Sequence, residues 1–200
     1  MSGLLFSTDS LSGTPTTGTT EYNGTALYFT PSGTQRGVIP GQQMFVLGTA
    51  YTGTNATGAQ SIFGLTNGVT LSSGTTYAFE ADITLVKSAG TTSHTISFGF
   101  AGSTATLNNI LYDIRVIFTS ISLNTYIGSS NYQAVVSNTS SAVVTTGATA
   151  VAGLTWNGVV KGTVSINAGG TFNPQYTLSA APGGAYTTQA GSYFLIYPIG

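Results

Sequence analysis

Thr76-Tyr77-Ala78-Phe79-Glu80-Ala81-Asp82-Ile83-Thr84-Leu85-Val86 decides the fold. Tyr77, Phe79, Ala81, Ile83 and Leu85 recur at every second position, while Glu80, Asp82 and Thr84 fall between them. A period of two sends successive side chains to opposite faces of an extended chain. The segment therefore reads as an antiparallel strand with one face in a core and the other turned outward. Ile110 to Phe118 repeats the pattern, with Ile110, Tyr112, Ile114, Val116 and Phe118 inward and Asp113 and Arg115 opposite. Thr92 to Phe100 sets His94, Ile96, Phe98 and Phe100 against Ser93, Thr95 and Ser97.

Working outward, no apolar stripe of period 3.6 is long enough for a major helix. Weaker strands are expected near Thr25–Thr30, Gln43–Leu47, Tyr132–Ser137, Ala142–Thr145, Leu154–Val160, Gly162–Asn167, Thr171–Leu178 and Ser192–Ile199. Turn signals separate them: Asn23-Gly24, Pro31-Ser32-Gly33, Asn67-Gly68, Ser73-Gly74, Asn157-Gly158, Gly169-Gly170 and Pro182-Gly183-Gly184. About ten short strands of this kind predict an all-β antiparallel β-sandwich of jelly-roll type. Residues 21–200 form that domain. Residues 1–20 read as an N-terminal arm or linker, because Ser7 to Thr20 is too polar for a core while Leu4, Leu5 and Phe6 offer an apolar anchor at its tip.

Charge is scarce. Four basic and five acidic residues make up 4% of the chain, against a usual share of about 25%. Four scattered cations cannot neutralise a run of phosphates, which argues against nucleic-acid binding. No stretch approaches the ~20 apolar residues of a membrane helix. Eleven Tyr and ten Phe nonetheless supply a core, so low charge here does not mean disorder. A surface so poor in charge suits a subunit that lives assembled more than a solitary monomer. Met1-Ser2-Gly3-Leu4-Leu5-Phe6 lacks the basic start and long apolar run of a signal peptide; the expectation is synthesis in a host cytoplasm and release by lysis.

Gly13-Thr14-Pro15-Thr16-Thr17-Gly18-Thr19-Thr20-Glu21-Tyr22-Asn23-Gly24-Thr25 and Leu27-Tyr28-Phe29-Thr30-Pro31-Ser32-Gly33-Thr34-Gln35-Arg36-Gly37 resemble a module of structural proteins from marine tailed phages, cyanophages among them. The likeness continues through Thr54 to Ser61, Gly68 to Ser72, Lys87 to Thr95 and Thr104 to Asn109. It closes with Pro174 to Ser179 and Gly191 to Gly200, and so spans most of the chain from residue 13 onward. It implies a virion protein, of the capsid decoration or cement kind or else the tip of a tail fibre or spike. With Met1 only a dozen residues before the module, the expectation is decoration. The partners implied are the chain itself, coat or tail proteins and, for a fibre tip, a host surface glycan or protein.

Chemistry-bearing residues are few. Glu80 and Asp82, two apart on one strand face, stand about 7 Å apart, a spacing an inverting glycosidase uses; the competing reading is a solvated or inter-subunit face, with Asp113 and Arg115 nearby if those strands pair. His94 is the single histidine, so no site with two imidazoles can form, and it reads as packed. The acidic residues are too spread for a calcium cage, although Glu80 and Asp82 with loop carbonyls would suffice for one ion. Trp156 reads as core. The expectation is therefore no enzyme, no cofactor and no metal. In the last strand Tyr193 and Tyr197 alternate with Phe194 and Ile196, so both faces are apolar and a partner should cover one. Leu4, Leu5, Phe6, Tyr193, Phe194, Ile196 and Tyr197 are the interface candidates. By analogy with jelly rolls of the tumour-necrosis-factor kind, a homotrimer is expected.

Overall fold

A computed structural model describes residues 8, 10–39, 41–64, 68–100, 104–119, 132–145 and 152–200. Leu4, Leu5 and Phe6 lie outside the described residues, as does Asn67 of one expected turn. Numbering strands in chain order, β1 (Thr20–Tyr22), β2 (Leu27–Ser32) and β3 (Gln35–Ile39) make a small sheet of their own. Asn23 Oδ1 accepts from the amides of Thr25 and Ala26 and closes the β1–β2 turn, the local bonding that makes Asn a turn residue. Ser12 folds back onto this sheet: its amide donates to Glu21 and its carbonyl accepts from Arg36, which also pairs with Glu21 at 2.6 Å. That part of the expected arm is thus tied to residues 20–39.

The main layer is an eight-stranded antiparallel sheet of β4 (Gln43–Val46), β5 (Tyr51–Thr52), β8 (Thr76–Lys87), β10 (Thr106–Thr119), β11 (Tyr132–Ser137), β13 (Leu154–Ala168), β16 (Tyr186–Thr188) and β17 (Tyr193–Pro198). Its order is β11-β10-β13-β8, after which β8 pairs with β17 along one half and β16 along the other; β4 extends β17 and β5 extends β16. Opposing it are β6 (Gln60–Ser61), β9 (Ile96–Gly99), β12 (Ser141–Val143) and β15 (Gln175–Leu178) in one sheet, and β7 (Val69–Leu71) with β14 (Gly170–Phe172) in another. The described residues contain no helix. The architecture is all-β, antiparallel sheets layered over one core as in a β-sandwich.

Alternation builds that core. Tyr77, Phe79, Ala81, Ile83 and Leu85 of β8 are buried, as are Ile110, Tyr112, Ile114 and Val116 of β10. They meet Ile96, Phe98, Phe100, Phe172, Tyr176 and Leu178 from the opposing sheets. Phe79 is the hub, with ring centroids 5.2 Å from Phe100, 5.8 Å from Phe172 and 6.2 Å from Phe194. Phe100 stacks on Phe172 at 4.1 Å. Edge and offset contacts of this sort add about 0.5–1.5 kcal/mol each beyond burial.

Three expectations need correction. Asn157-Gly158 is no turn: Leu154 to Ala168 runs as one strand. Gly158 faces inward, and a Cβ there would clash with the Trp156 indole; a Cβ at Gly162 would sit 2.5 Å from Tyr112 Cβ and 2.7 Å from the Phe79 ring. These glycines make room for aromatic rings and do not bend the chain. Thr171–Leu178 is two strands, β14 and β15, parted by Asn173-Pro174, since proline has no amide for the ladder. The strand expected from Thr92 is regular only from Ile96, because His94 bonds back to the Thr92 carbonyl.

Candidate functional site: the outer face of the large sheet

The residues between the core positions of β8, β10 and β13 all point to the opposite face. Register aligns them across strands. One row reads Met44, Leu195, Glu80, Lys161, Asp113, Val136, and the next reads Val46, Tyr193, Asp82, Val159, Arg115, Ala134. Five of the chain's nine charged residues therefore stand on one surface: three acids and two bases. Among the described residues, six large apolar side chains on it are well exposed. Met44, Val46, Leu111, Tyr132, Val136 and Val159 are 37–74% exposed. A polar alternation would leave this face wet and hydrophilic, whereas here apolar residues flank a charged centre and one, Val159, stands within it.

Asp113 and Arg115 do not neighbour Glu80 and Asp82 directly, because β13 lies between β8 and β10. Lys161 of β13 is the cation beside Glu80, at 3.6 Å. Arg115 pairs with Asp113 at 3.0 Å along its own strand. Both pairs are largely exposed, so within one chain they contribute little to stability. Asp82 accepts from Asn157 Nδ2 at 2.8 Å. The Tyr193 phenol is held above its usual range by partial burial and by the negative charges of Glu80 and Asp82. Two open hollows lie on the face: one of about 430 Å³ bounded by Leu111, Asp113, Val136 and Lys161, and one of about 180 Å³ among Asp113, Arg115, Val159 and Lys161.

The interface candidates divide. Tyr193 and Tyr197 lie half-buried on the outer face. Phe194 and Ile196 are 1% and 0% exposed and pack in the chain's own core. Both sides of the last strand are thus apolar for different reasons. Met44 and Val46, flanking the inward Phe45, carry the same signal in the run Met44-Phe45-Val46-Leu47, and sequence reasoning passed over it. Glu80 and Asp82 share the open face and line neither of the two hollows. His94 and Trp156 are buried, at 2% and 1%. His94 Nε2 lies 2.7 Å from the Tyr186 hydroxyl. The fully buried Lys87 donates to the Gly90 carbonyl at 3.0 Å. Burial lowers the pKa of both Lys87 and His94, and the Lys87 charge lowers that of His94 further. Among the described residues no group of three or more acidic or His side chains is placed to hold a metal. Among the described residues no helix is long and apolar enough to cross a membrane.

Comparison with family models, with curated proteins and with solved structures found no match.

Proposed function

We propose that the chain is a structural subunit of a tailed-phage particle, a jelly-roll-type sandwich of the capsid decoration or cement kind. It would work by packing against copies of itself and against coat proteins. The observation carrying this reading is the outer face of the large sheet, which joins exposed apolar residues, most of them toward its margins, to most of the chain's charge at its centre. Contiguous apolar surface rimmed or centred by polar groups marks a docking surface. The repeated passage of the chain between layers, from β8 to β9 to β10 and from β11 to β12 to β13, supports the jelly-roll class. The likeness to marine-phage structural modules supports the particle. Such a subunit would stabilise the assembled form by binding it and not the free coat.

Quantifying the chain in particles purified from a lysate of the encoding phage tests this reading. The expected result is a copy number comparable to that of the coat subunit. A few copies per particle would point instead to a fibre tip, and recovery only in the soluble fraction would overturn the proposal.

A further inference from the structure

We infer that the outer face of the large sheet is built to meet a second copy of itself about a two-fold axis running parallel to the strands, midway between β8 and β13. This rests on the reading of that face as an assembly surface and names its occupant.

The warrant is the order of residues across the sheet. Turning one copy over onto another about that axis reverses each row. Met44-Leu195-Glu80-Lys161-Asp113-Val136 then lies against Val136-Asp113-Lys161-Glu80-Leu195-Met44. Each Glu80 faces the second copy's Lys161, twice over by symmetry, and each Met44 faces a Val136. In the adjoining row Val46 meets Ala134, and Tyr193 meets Arg115, where a guanidinium over a phenol ring is favourable. Asp113 meets Leu195 and Asp82 meets Val159, but Asp113 keeps its own Arg115 at 3.0 Å and Asp82 its own Asn157 at 2.8 Å. Isologous interfaces demand this self-complementarity: residue i touching j requires j to touch i.

Two nearby placements fail on charge, and a third, midway between β13 and β10, would set Lys161 against Asp113 but overlap only four strands and leave Met44 and Leu195 uncovered. With the axis on β13, Glu80 would face Asp113 and Lys161 would face itself. With the axis across the strands, Glu80 would lie over Asp82. The chosen axis keeps the strands of the two sheets nearly aligned, the usual mode of face-to-face sheet packing, with layers about 10 Å apart. Six strands at about 4.8 Å, over some eight residues of ~3.4 Å, give about 700 Å² per copy, near the ~800 Å² per partner of a stable interface. The exposed charges that contribute little within one chain become desolvated cross-pairs in the dimer, where like charges brought together are costly. A three-fold arrangement of the tumour-necrosis-factor kind would not bring these rows into mutual register.

Sedimentation equilibrium of the purified chain at low salt, with E80K and K161E made separately, tests the inference. The expected results are a dimer for the wild type, self-association weakened about a hundredfold in each single variant, and a one-to-one heterodimer when the two variants are mixed. Mixing restores both cross-pairs and leaves the intramolecular repulsion in each chain, so an intramolecular effect cannot produce the rescue. A second measurement avoids charge altogether. The chain has no cysteine, so a short bismaleimide should join M44C to V136C in a mixture and should join neither variant to itself. A wild-type trimer, a monomer, a mixture that stays dissociated, or cross-linking of either variant alone would overturn the two-fold. A wild-type monomer whose E80K variant loses particle binding would overturn the second copy as occupant yet keep the docking role of the face. A monomer with no affinity for particles would remove both.

Discussion

The two faces of β8 carry opposite kinds of side chain on one backbone. Inward, Tyr77, Phe79, Ala81, Ile83 and Leu85 are sealed beneath aromatic rings of the opposing sheets. Outward, Glu80 and Asp82 sit in rows whose ends are apolar. The inner face is complete within one chain. The outer face shows the mixture of apolar margin and paired charge that a monomer surface does not need. The same twelve residues thus specify a fold on one side and, on the proposed reading, a contact on the other, and substitutions should separate the two.

The sharpest break is F79A. It removes the hub ring of the inner cluster and should cost about 3–5 kcal/mol in urea denaturation; a loss below 1 kcal/mol would mean the aromatic cluster is not the core. Next comes Gly162→Ala, which pushes a methyl toward Phe79 and Tyr112. Overpacking of this kind should cost about 1–3 kcal/mol, seen as a lower denaturation midpoint at an unchanged slope. On the outer face, M44S with V136S should move monomer stability by no more than about 0.5 kcal/mol while abolishing self-association in sedimentation. Equal losses in both measurements would show that the faces are not independent.

The smallest effect concerns acid. Folded His94 has its pKa depressed by burial and by the nearby Lys87 charge, so the unfolded chain takes up the proton first. Stability from this residue is fully present above the ordinary histidine value of 6.5 and declines as pH falls below it. Thermal melts from pH 7.5 to 5 should show that decline, and H94Q should flatten it. A wild-type melt unchanged down to pH 5 would show that His94 accepts its proton at no cost.

Periodicity made the inner face legible. β8 and β10 were readable from their alternation, and Tyr132–Ser137 has the bounds expected for it. Gly158 misled because a glycine after asparagine is a turn signal only where the backbone turns; here the space beside Trp156 requires it. The outer face was half legible. Glu80, Asp82, Asp113 and Arg115 were placed outward in their strands, yet their relation depended on lateral order. That β13 separates β8 from β10, bringing Lys161 to Glu80, is a long-range fact that no local pattern encodes. Leu111 and Val159 escaped notice because a single apolar residue out of phase resembles noise until its neighbours across the sheet are known.

β8 also sits between partners made far later than itself. Its Thr84 amide donates to Ser192 Oγ, 108 residues further along the chain, and its other edge waits for β13. During translation the strand with the most regular alternation therefore leaves the ribosome with neither flank paired, and long-range closures of this kind are slow. Until Tyr193–Pro198 has emerged, an unpaired apolar strand remains open to wrong partners. Ribosome-bound chains with residues 193–198 still inside the exit tunnel should accordingly hold chaperones longer than chains carried on a linker long enough to expose residue 198.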